Sequence, residues 1–154
     1  MRKSLRLAKL VDVIERREQA AARLFRQSAQ QAAAHWGRLE ELRQYQTHYR
    51  SELLDRGQRG LGAGQLRALQ GFLAKLDEAV AQGLLRAARS EERRLRDKQR
   101  WLAARTRRQL LAAVMQRSQI AEQALERRIA QQVLDERAQR FPAQGCAWGG
   151  VDDE

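Results

Sequence analysis

Apolar residues recur at spacings of three and four along most of the chain, on both sides of one glycine cluster. Upstream, Leu7, Leu10, Ile14, Ala21, Leu24 and Ser28 follow that spacing behind Ser4, a capping residue. The pattern slips by one residue near His35 and resumes at Leu39, Leu42, Gln46, Tyr49 and Leu53. The eleven-residue step from Ser28 to Leu39 is of the kind that locally relaxes a left-handed supercoil. Gly57, Gly60, Gly62 and Gly64 then fall within eight residues. Beyond them Leu66, Leu69, Leu73, Leu76, Val80, Gly83 and Ala87 carry the stripe on. From Ala88 to Arg108 its only large apolar residues are Leu95, Trp101 and Leu102, and from Leu110 to Val133 it recovers.

Glycine ends helices and reaches left-handed backbone cheaply, and each one inside a helix costs about 1 kcal/mol against alanine. A parallel dimer of one continuous helix would carry the whole cluster as a flaw. The pattern therefore predicts an all-α fold, an antiparallel two-stranded coiled coil or long helical hairpin. Helices run from about 4 to 56 and from about 65 to 140, with a turn over about 57–64. The second helix outlasts the first and overhangs it, and Phe141 and Pro142 stop it. Residues 1–141 form one unit, and the Gly-rich tail 142–154, acidic at its end, is expected to be disordered. A turn centred near Gly60 sets Tyr49 opposite Phe72, Tyr45 opposite Leu76 and Leu42 opposite Ala79.

Composition agrees, being dominated by good helix formers, and the 5% of aromatic residues is too little to fill a globular core. The net charge of +11 is uneven. Residues 86–117 carry 11 basic and 3 acidic groups, whereas residues 118–154 carry 4 and 7. A basic midsection points to acidic partners: nucleic acid, anionic lipid or an acidic protein surface. The start, MRKSLRLAKLVDVIERRE, lacks a secretory apolar core. No run reaches the roughly 18 apolar residues of a membrane-spanning helix. Cys146 is a lone cysteine, in keeping with a reducing compartment, and the chain reads as cytoplasmic.

Catalytic chemistry finds no constellation. His35 and His48 lack ligand neighbours at metal spacing. GQRGLGAG lacks the Lys-Ser/Thr ending of a phosphate loop. Cys146 has no organised base. No enzyme, metal or cofactor is expected. The arginine-rich stretch RAARSEERRLRDKQRW is compatible with a solvated face or with phosphate contacts, without the aromatic spacing of a nucleic-acid stacking platform. Near the turn, Tyr45, Tyr49, Phe72 and Ala79 flank the seam. They read either as a docking patch or as bulky cover for a thin core.

LVDVIERREQAAARL, LEELRQYQTHYRSELL, LQGFLAKLDEAV, QRWLAARTRR and LDERAQRF, in this order and spacing, resemble the bacterial flagellar type III export family FliJ from about Leu5 to Phe141. The resemblance implies a non-catalytic rod, similar to the stalk of a rotary ATPase γ subunit. Its implied partners are the hexameric export ATPase FliI, the export gate FlhA and export chaperones. It implies a cytoplasmic protein, peripheral at the inner membrane through those partners. The family's gate-contact positions match here at Leu42, Tyr45, Tyr49, Phe72, Leu76 and Ala79. Arg38 stands where glutamine is familiar, and Gly83, expected to face it, where a larger polar residue is. Two other readings stay open: a basic coiled-coil scaffold for nucleic acid, and a general helical adaptor or chaperone.

Overall fold

The structure is a computed structural model and describes residues 3–140, with side chains from Arg6. Ser4, expected to cap the helix, is already helical within it, because the helix includes Lys3. The stop at Phe141 and Pro142 and the tail lie outside the described residues. Helix α1 spans Lys3–Arg59 and helix α2 Ala63–Arg140. They pack along each other as an antiparallel hairpin, with no strand among the described residues. At 1.5 Å per residue the helices are about 85 and 117 Å long.

The reversal is tighter than the glycine cluster suggests. Gly57 lies inside α1 and Gly64 inside α2, so that only Gly60, Leu61 and Gly62 are non-helical. One left-handed residue suffices. Gly60 has φ 91°, the conformation that ends a helix and that a Cβ would oppose. The Leu66 N–H then donates to the Gly62 carbonyl at 3.0 Å, opening α2.

The seam differs from its expected course. With Ala22, Ala29 and Glu52 half-covered beside it, a row of covered positions on α1 runs Leu7, Val11, Ile14, Glu18, Ala21, Phe25, Ser28, Ala32, His35, Leu39, Leu42, Gln46, Tyr49 and Leu53. Their steps alternate four and three without a break, which is an unbroken heptad repeat. There is no slip near His35, because Ala32 and His35 themselves occupy the seam. Leu10 and Leu24, expected in the seam, are exposed at 48% and 54%. Val11 and Phe25, one residue further on, face α2 in their place. The repeat also runs straight through the arginine-rich part of α2, where Ser90, Arg94, Asp97 and Arg108 hold seam positions between Ala87 and Leu111.

Polar seam residues need partners. The buried Ser28 hydroxyl donates to the Phe25 carbonyl at 3.1 Å. Arg108 pairs with Glu18 across the helices. Arg94 is answered within its own helix, its guanidinium 2.5 Å from Glu91. Hydrogen bonding to Arg94 holds the Glu91 carboxyl below its ordinary value, and the same bond raises Arg94. The pair's small contribution is therefore complete above pH 4.5 and fades as the pH falls through the lowered Glu91 value.

The most deeply buried large side chain is Leu39, 1% exposed, with Gly83 and the fully buried Ala87 on α2 at the same level. Long-range contacts fix the register. Phe25 stacks on Trp101 with ring centroids 5.7 Å apart and planes 6° apart. The expected pairing, extended down the rod, would have set Phe25 against Arg96 instead. Gly83 likewise meets Leu39 and Leu42, not Arg38. From 123 to 140 every residue is exposed.

The glycines give a test of this geometry. A Cβ on Gly71 would meet nothing within 4 Å, and one on Gly83 would lie 3.4 Å from Leu39 Cδ1, an ordinary contact. Gly71→Ala and Gly83→Ala should each stabilise the hairpin by about 1 kcal/mol, and Gly60→Ala should destabilise it by about 1 kcal/mol or more. Urea titrations followed by circular dichroism read all three, and a stabilised Gly60→Ala variant would contradict the turn.

Candidate docking site

Positions just outside a coiled-coil seam form its two flanks. In this hairpin Tyr45 precedes Gln46, and Phe72 and Ala79 precede Leu73 and Val80, which puts them on one flank. Arg50 and Asp77 follow Tyr49 and Leu76 and stand on the other. That second flank is closed by polar clips. Arg50 Nη2 donates to Asp77 Oδ1 at 3.0 Å, and Gln46 Nε2 donates to the same oxygen at 2.5 Å.

The first flank is open and aromatic. Tyr45 is 57% exposed and Phe72 44%. Tyr49 is half-buried, and its ring meets Phe72 edge to face at 4.8 Å and 72°. His48 packs on the other side of Tyr49 at 5.3 Å. A seam side chain fills a socket of four residues on the facing helix. The Tyr49–Phe72 contact is one wall of such a socket, so the expected pairing holds at this point while the register further down the rod is about a turn away.

The six sequence-derived positions do not form one exposed surface. Tyr49 and Phe72 meet at the open flank, and Tyr45 is exposed on the same flank one turn before Tyr49. Leu42 and Ala79 are half-buried and line the same small groove beside Gly83. Leu76 is 8% exposed and belongs to the seam, where it holds α1 and cannot be offered to a partner without opening the hairpin. Its place three residues after Leu73 makes it a core residue.

Sequence reasoning passed over part of the site. An open groove of about 440 Å³ at the tip is lined by Tyr49, Phe72, Leu69, Leu61, Arg56 and Gln65. Leu61 comes from the turn itself. A large apolar residue in the middle of a glycine cluster, where a turn ordinarily carries small or polar groups, was the signal for it. An apolar groove with aromatic walls and an arginine at its rim suits a partner's protruding side chain better than a reaction, and it holds no general base beside a nucleophile.

Fold and surface together define a class: a slender all-α coiled-coil rod with one open, partly apolar flank. The family model described as Flagellar FliJ protein matches residues 2–145. The chain belongs to the FliJ family and is a component of the flagellar type III export apparatus. No curated protein and no solved structure matches it.

The division between core and surface is measurable. Leu76→Ala should cost about 2–4 kcal/mol of stability, and Tyr45→Ala less than about 0.5 kcal/mol. Equal losses in chemical denaturation would contradict the placement of these two residues.

Proposed function

We propose that this rod couples the export ATPase to the export gate. It engages the ring of FliI with its shaft, meets the cytoplasmic domain of FlhA with its tip, and helps export chaperones to cycle. Membership of the FliJ family supports the setting. The observation that carries the gate contact is the open aromatic flank, where Tyr49 and Phe72 line the tip groove and Tyr45 is exposed on the same flank, while the opposite flank is clipped shut. Tyr45, Tyr49 and Phe72 make the contact, and Leu42, Leu76 and Ala79 shape the helix surface beneath them.

A two-helix rod is thin and stiff, and its sides differ. Six equivalent subunits around it meet unequal surfaces, which biases their nucleotide states one against another. The chain itself performs no chemistry in this scheme. No helix among the described residues is long and apolar enough to cross a membrane. The protein works in the cytoplasm, at the inner face of the membrane, held there by its partners.

Buried aromatics concentrate binding energy, and truncating one costs about 2 kcal/mol, or about 30-fold in affinity. Tyr45→Ala and Phe72→Ala should each weaken binding of the purified FlhA cytoplasmic domain by about that factor in titration calorimetry. Their melting temperatures should stay near the parent's, and stimulation of FliI ATPase should persist. Full-affinity gate binding by a Tyr45→Ala variant of unchanged stability would overturn the docking assignment.

A further inference from the structure

The open flank continues past the aromatic tip. Along α2 the same heptad position passes from Phe72 and Ala79 to Arg86, Arg93, Arg100 and Arg107. Three contiguous pockets of about 150, 380 and 390 Å³ follow this row down the rod, sharing His35 and Arg86, then Gln31, Arg93 and Arg96. Together they make one groove between the helices. Its walls hold six arginines, Arg38, Arg86, Arg89, Arg93, Arg96 and Arg100, against two carboxylates, Glu92 and Asp97.

The charge is left unanswered by the fold. From Gln19 to Leu39, the part of α1 that faces these arginines, there is no carboxylate. Arg100 lies 3.9 Å from Asp97. Arg86, Arg89, Arg93 and Arg96 make no ion pair among the described residues, although Glu91, Asp77 and Glu18 on other parts of the rod are paired. Four uncompensated guanidinium groups along one groove repel one another, and that cost is recovered when an anion enters.

We propose that this groove receives an acidic amphipathic helix of a partner protein, lying along the rod as a third strand. The floor fits a helix, since Ser28, Ala87, Gly83 and Ser90 keep the seam small there and leave room at the surface. The arginines repeat at steps of three and four, so a helix with carboxylates at that same spacing meets each in turn. Guanidinium forks bind carboxylates in pairs of hydrogen bonds, and Gln27, Gln31 and His35 add polar contacts along the opposite wall. Nucleic acid is disfavoured because the groove is lined by no Phe, Tyr or Trp and His35 alone is no stacking platform, Phe25 and Trp101 being engaged with each other. A membrane surface is disfavoured because the arginine face carries no broad apolar stripe.

The test uses the full chain and a synthetic helical peptide of four heptads with glutamates confined to one face, followed by fluorescence anisotropy. The peptide should bind, and more weakly as salt rises. A peptide of identical composition with its glutamates spread around the helix should bind about 10-fold more weakly. The triple variant Arg89→Glu, Arg93→Glu, Arg96→Glu should lose at least about 30-fold. Arg127→Glu, Arg128→Glu, Arg137→Glu, with the same change in net charge on the overhang, should bind as the parent does. Circular dichroism confirms that both triple variants are folded. The proposal is overturned if the spread peptide binds equally well, if the overhang variant loses as much as the groove variant, or if single-stranded DNA or anionic phosphatidylserine vesicles bind the groove more tightly than the peptide. Tyr45→Ala should leave peptide binding unchanged, so failure here and failure of gate docking are read separately.

Discussion

A helix with a single seven-residue stripe has one side to hide, and here two such stripes hide each other. Among the described residues burial is confined to this seam. Leu39, Leu73 and Leu76 with Ala32, Ala87 and Ser28 are its buried part, and its other positions are half-covered. Because burial is confined to a line, stability accumulates along the length of the rod, and no single layer dominates it. The same constraint leaves two flanks in every section, and those flanks are where the protein can differ from one side to the other. The short reversal at Gly60 converts one repeating chain into two facing helices and joins them at one tip.

Much of this was legible in the amino-acid sequence. The spacing of apolar residues and the glycine cluster specify a hairpin, because no other arrangement buries the stripe without a run of glycines in a helix. The Tyr49–Phe72 contact near the tip followed from the same argument. The course of the seam was less legible. Leu10 and Leu24 outrank Val11 and Phe25 in simple hydrophobic counts only when the neighbouring seam positions are read by size. Glu18, His35, Arg94 and Arg108 hold seam positions that hydrophobicity cannot reveal. The heptad is a geometric repeat, and a polar residue keeps its place in it when an ion pair such as Glu18–Arg108, or a neighbour such as Glu91, answers its charge. The register expected from the turn holds at Tyr49–Phe72 and has moved by about a turn at Phe25–Trp101, a distance from the turn at which pairing is set by the side chains that meet.

The two flanks divide the labour. One is stitched by Arg50, Gln46 and Asp77. The other presents aromatic rings at the tip and a row of arginines further down, joined by the small groove around Leu42, Ala79 and Gly83. Both ends of this flank can be occupied without unfolding the rod. Enzymes fix chemistry in a pocket, but a rod has no interior to spare, and its specificity is written as a sequence of side chains along one edge.

The central claim is the single antiparallel seam in its observed register, and crosslinking tests it most directly. In a background with Cys146→Ser, the pair Glu18→Cys and Arg108→Cys should join within one chain through a short bismaleimide, giving a compact species at monomer mass. The pair Phe25→Cys and Arg96→Cys, which the displaced register would bring face to face, should react far more slowly. Crosslinks that form only between chains, or a faster reaction for the second pair, would contradict the account.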